Sequence, residues 1–208
     1  MAPVPQAGGG GRTAPAGGEG TARTAAVKPE SVEKLPGQKS FGWKPDGPLS
    51  SQEIKGRKIT LNECAAIAGA TLWQQQGYLS PAKNPAGQQL FAFPDTTAAQ
   101  AAYRSLVADM DRCQDSSRKA QATGGVSQDA TVAATATAQD SAAWSRRWTG
   151  AGGLSAPERQ TNHLYAVQRG ELIALFQFDE LADRPGPAYD IASDGQVLAS
   201  LAELAVQR

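Results

Sequence analysis

Long apolar runs are missing from this 208-residue chain. No stretch approaches the roughly 18 apolar residues in a row that a membrane-spanning helix requires. No secretory leader is readable either, because the opening MAPVPQAGGGGRTAPAGGEG has no apolar central region and is too rich in glycine to form one. Net charge is absent as well: 20 Lys and Arg balance 20 Asp and Glu. Without a basic block there is no electrostatic footprint for nucleic acid, which is excluded as a partner. Histidine occurs once, as His163, and cysteine twice, as Cys64 and Cys113. That supply builds no compact His/Cys ligand set, so neither a metal nor a cofactor is expected. Nucleophile signatures are lacking too. The chain has no G-x-S-x-G elbow, and GAGG at 150–153 follows a strand without the Gly-Lys-Ser/Thr that a phosphate loop needs. Its glycines read more simply as flexibility before Pro157.

Glycine and proline are abundant and unevenly spread. Residues 1–50 hold 10 of the 22 Gly and 7 of the 13 Pro. Such a composition cannot bury enough apolar surface to offset the entropy of ordering it. The expected organisation is therefore a disordered Gly/Pro/Ala-rich arm or tether at 1–50 and a single α+β domain at 51–208. The arm looks like a spacer following an anchor or signal encoded upstream of Met1, which predicts export.

The two cysteines sit in TLNECAAIAG and VADMDRCQDS, both of which read as helix. Bonded, they would close a loop of about 50 residues and fit an oxidising compartment. Unbonded, they would be buried thiols, which are common core residues.

Along the domain, Thr60 followed by Glu63 gives a capping-box pattern that predicts a first helix ending at Gly69. TLWQQQGYLS and QQLFAFP read as strands around the turn formers of SPAKNPAG. DTTAAQAAYRSLVADMDRC is the clearest helix, capped at Asp95 or Thr96, with Ala99, Tyr103, Leu106, Met110 and Cys113 on one stripe. TVAATATAQ and AAWSRRWTG form a hairpin turning at Asp140-Ser141, which sets Thr137 opposite Trp144 and Ala133 opposite Trp148. A second hairpin turns at Gly170-Glu171 and sets Tyr165 opposite Phe176 and His163 opposite Phe178. A last helix carries Val197, Leu198, Leu201, Leu204 and Ala205. The order α-β-β-α-β-β-β-β-α predicts an α+β fold, an antiparallel sheet of about six strands with helices packed on one face.

Three side chains in WSRRW share a strand face: Trp144, Arg146 and Trp148. An arginine between two indoles presents its donor fork to an anionic or aromatic ligand, or else packs its stem between the rings. Trp73 and Tyr78 extend either arrangement. His163 lies near Asp179, which faces Asn162, and is read as a partly exposed strand-end histidine or as the centre of an atypical hydrolase site. The candidate ligand-binding residues are thus Trp73, Tyr78, Trp144, Arg146, Trp148 and His163.

Cys64 in a short first helix, WQQQGY at 73–78, LFAFPDTTAAQAAY at 90–103, Cys113, SRRWTG at 145–150 and NHLYAVQRGELIALFQF at 162–178 together resemble the actinobacterial sensor-like domains related to the extracellular part of the PknH protein kinase. The resemblance implies an antiparallel sheet flanked by helices, a ligand cleft, and a secreted, lipid-anchored or membrane-attached context. The kinase's domain carries two disulfides, whereas this chain has cysteines for one. The expected function is a noncatalytic extracytoplasmic sensor-like protein that binds a small molecule or an envelope protein. A secreted hydrolase around His163 and a purely structural envelope module are the alternatives.

Overall fold

A computed structural model describes residues 35–184, 186 and 188–204. Its centre is an antiparallel sheet whose main path runs β1(Lys44–Pro45), β5(Leu72–Leu79), β6(Pro85–Ala92), β10(Leu172–Leu181), β9(Arg159–Arg169), β8(Ser141–Thr149), β7(Thr131–Ala138). The short β2(Ser50–Glu53) also pairs with β5. The fold is α+β, as the sequence predicts. The β9–β10 hairpin has the expected register, with Tyr165 opposite Phe176 and His163 opposite Phe178. Gly170 supplies the positive φ that its turn demands.

Helix α2(Thr96–Asp111) is capped by Asp95, whose side chain accepts from the Ala98 amide. Its buried stripe is Ala99, Tyr103, Leu106 and Met110, continued by Cys113 in the next helix. It lies on one sheet face, against a core that includes Phe91, Ile173, Leu175, Trp144 and Leu164. The opposite face holds Tyr165, Val167, Phe176 and Phe178, covered by Leu198 and Leu201 of α4(Asp194–Leu204). Helices therefore cover both faces, where one was expected, because β9 and β10 are apolar on both sides. The Leu204 side chain and Ala205 lie outside the described residues.

Four other expectations are corrected. The core reaches upstream of residue 51: Leu35, Phe41 and Trp43 are buried with Tyr165 and Phe178, and α1(Gln38–Phe41) begins before the expected boundary. Phe41 stacks on Trp43 with ring centroids 4.8 Å apart, and the indole N–H donates to the Pro36 carbonyl. Residues 1–34 of the expected arm lie outside the described residues. The first helix expected at 60–69 is instead a small hairpin, β3(Ile59–Thr60) with β4(Ala66–Ile67). There the Asn62 side chain accepts from the amides of Cys64 and Ala65, which makes a turn where a helix would have started. The β7–β8 turn is Gln139-Asp140, and a bulge lies between Ala134 and Ala136, so Trp144 faces Ala134 and not Thr137. Finally, α3(Cys113–Thr123) follows α2, and its buried side chains are Cys113, Ser117 and Gln121.

Asp194, at the start of α4, is 1% exposed. Its carboxylate accepts hydroxyl hydrogen bonds from Thr135, from Tyr165 at 2.9 Å and from Tyr189 at 3.0 Å. These bonds tie the last helix to β7 and β9. Burial first, and then Tyr189 and Asp194, hold the Tyr165 hydroxyl firmly protonated and donating. Asp194→Asn would turn one acceptor oxygen into a donor facing other donors. The expected cost is about 2 kcal/mol, read from urea denaturation midpoints.

Candidate functional site

Beyond the core under α2, the same sheet face becomes polar. In register across three strands lie Arg146 on β8, Asn162 on β9 and Asp179 on β10. This row floors a cleft of about 190 Å³. Leu61, Asn62 and Glu63 of the β3–β4 hairpin form one wall, and Leu154, Ser155 and Ala156 of the Gly-rich loop form another.

Arg146 organises this end of the molecule. Its guanidinium donates through Nη1 to Glu63 and to Ser117, and through Nε to Asn162 at 3.0 Å. It lies 4.0 Å from the centroid of the Trp148 ring. Ser117 in turn donates to Glu63 at 2.7 Å. Burial pulls the arginine down to about 10, with Asp179 working in the opposite sense, so it stays charged near neutrality. The Asn162 amide donates to Asp179 at 2.7 Å and to Gln160 at 3.0 Å. Burial raises the Asp179 carboxyl, against the lowering effects of Asn162, Arg146 and His163.

The disulfide Cys64–Cys113 fixes the hairpin wall to the junction of α2 and α3. Glu63 lies within 4.8 Å of both sulfurs. The sulfurs are bonded to each other and so supply no thiolates to a metal.

The six candidate residues do not form one site. Trp144 and Arg146 line the cleft, but the indoles of Trp144 and Trp148 are 3% and 2% exposed and serve as packing. Trp73 stacks on Phe91 and donates to Gln89. Tyr78 is buried against the opposite face and donates to Gln88. His163 is not a partly exposed strand-end residue: it is 2% exposed. Its ring stacks on Phe178, and its Nε2 lies 2.8 Å from Glu180. The residues that sequence reasoning missed are Glu63, Ser117, Asn162 and Gln177, with Asp179 noted only as a neighbour of His163. The one usable signal was register, since pairing β8 with β9 and β9 with β10 aligns Arg146, Asn162 and Asp179.

The family model for the PknH-like extracellular domain matches residues 26–173. The chain belongs to that family and is an extracytoplasmic domain. Among solved structures, the extracellular domain of PknH from Mycobacterium tuberculosis has a similar fold: the TM-score is 0.56 at 14% identity, covering 88% of this chain and 94% of that one. Among curated proteins there is no significant match. No helix among the described residues is long and apolar enough to cross a membrane.

Proposed function

We propose that this chain is a noncatalytic, sensor-like binding domain of the cell envelope, with its ligand seated in the Arg146 cleft. The observation that carries this reading is the state of Asp179. It is a half-buried carboxylate in the cleft floor, steadied on one oxygen by Asn162, beside a Gln177 side chain that has no partner among the described residues. Fixed polar groups over an otherwise packed floor are what a pocket uses to orient a small ligand. Arg146 shapes the cleft without itself being free to bind, since Glu63, Ser117 and Asn162 take its donors. The hydrolase reading around His163 has less support, because that ring is enclosed by Phe178 and Tyr189. A secreted or lipid-anchored context and an actinobacterial source belong to the same proposal and rest on the family.

Asp179→Asn is the informative variant. The raised carboxyl favours its neutral form in the fold, so ionised Asp179 costs stability above its folded pKa, and that cost disappears on acidification. The variant is therefore expected to match wild type only below the ordinary aspartate range, near pH 3, and to be slightly more stable at pH 8. A thermal-shift screen of small polar metabolites, run on both proteins, tests the reading. A ligand that raises the melting temperature of wild type but not of Asp179→Asn supports it, whereas equal shifts in both move the site elsewhere.

A further inference from the structure

At the other end of the sheet face that carries Arg146, a larger groove of about 540 Å³ runs between α2 and the β7–β8 hairpin. Along β8 the progression is Ala142 in the groove, Trp144 in the core and Arg146 in the cleft, and along β9 it is Gln168, Leu164 and Asn162. The two ends differ in how their polar groups are used. In the cleft, Arg146, Glu63, Asn162 and Gln160 largely satisfy one another. In the groove they do not. Tyr103 is 6% exposed and lines the groove, and its hydroxyl has no hydrogen-bond partner among the described residues. The ring packs in the core while the hydroxyl opens onto the groove, where it is available to a bound group. Burial and the nearby Asp140 push that hydroxyl up to about 12, so at neutral pH it is a donor.

The charges at the rim define what that group is. Three charges line the groove: Asp140 is already paired with Arg169 at 3.1 Å, whereas Arg104 and Asp111, both on α2, have no ion-pair partner among the described residues. Seven residues apart on one helix, they stand about 10 Å from each other along its axis. Opposite charges at that spacing fit the two ends of a zwitterion, and an extended chain covers the distance in about three residues. Between them, Tyr103 offers a donor to a peptide carbonyl. The Gln168 amide nitrogen is taken by the Gly170 carbonyl, which leaves its oxygen to accept from a peptide N–H. Val107, Ala108 and Ala142 give the groove an apolar floor between the charges.

We propose that this groove binds a short extended peptide with free termini, about three residues long, with its carboxylate on Arg104 and its ammonium on Asp111. The site is separate from the Arg146 cleft and does not depend on it. The test is a titration of the isotope-labelled full chain with tri-alanine, and in parallel with N-acetyl-tri-alanine amide, followed by amide chemical shifts. Tri-alanine is expected to shift the Tyr103, Asp111 and Gln168 signals saturably. Arg104→Gln, an exposed substitution, should weaken it about fivefold and leave the capped peptide unchanged. Asp111→Asn should do the same. The proposal is overturned if tri-alanine gives no saturable shifts at these residues. It is equally overturned if the capped peptide binds as tightly as the free one, or if neither variant changes the affinity.

Discussion

Arg146→Ala is expected to lower stability by about 3–5 kcal/mol, because it strands a charge that the fold has already taken out of water. The Arg146 and Glu63 side chains are 9% and 11% exposed, so solvent cannot replace the lost partner. Ser117 would still donate to Glu63, and the Asn162 oxygen would lose its donor. Against a total stability of about 5–15 kcal/mol for a domain of this kind, the loss is large. It should appear as a fall of about 10 °C in melting temperature. The companion variant separates charge from packing. Arg146→Met with Glu63→Gln removes both charges while keeping most of the volume, and it should recover at least half of the loss. If the double variant is as unstable as Arg146→Ala, neither the stranded charge nor the lost volume explains the cost, and the contribution of Arg146 lies in its guanidinium contacts to Asn162, Ser117 and the Trp148 ring.

The disulfide gives the second large effect. Cys64 and Cys113 are 49 residues apart in sequence, and opening a loop of that length costs about 4 kcal/mol by the chain-entropy estimate. Cys64→Ser with Cys113→Ser should therefore lower the urea midpoint markedly and steepen the slope, because the unbridged denatured chain is less compact. The location adds a local consequence. The bridge holds the β3–β4 hairpin, which carries Glu63 to Arg146. Amide exchange in residues 59–67 should therefore quicken more than in β9 or β10. Uniform acceleration through the domain would show that the bridge acts only on the unfolded chain.

Where local chemistry and tertiary structure agree, the sequence was readable. Gly170 announces its turn, the strands beside it are long and apolar, and their register follows. Asp95 and the stripe from Ala99 to Met110 define α2 in the same way. The misreadings share another cause: in each, a residue does tertiary work that mimics or hides a local signal. Thr60 and Glu63 have the spacing of a helix cap, but the Glu63 carboxylate goes to Arg146 and Ser117, while Asn62 turns the chain. Helix α3 is hidden because its inward stripe is Cys113, Ser117 and Gln121. Gln121 is fully buried and spends its amide on Asp129, Thr149 and Ala130, so hydrophobic periodicity has nothing to detect. Phe41 and Trp43 are hidden amid glycine and proline, although two aromatics so close together are a core signal that composition averages away. The cleft depends on three strands meeting in one register, and only the hairpin that aligns Asn162 with Asp179 was secure from the sequence.

The claim that this polar row is a binding floor is tested most directly by amide chemical-shift mapping of wild type and Asp179→Asn with the best stabiliser from the metabolite screen. Saturable shifts centred on Asn162, Gln177 and Asp179 are expected in wild type, with a loss of affinity of tenfold or more in Asp179→Asn. Shifts that leave those residues untouched, or an affinity unchanged by the substitution, would contradict that claim.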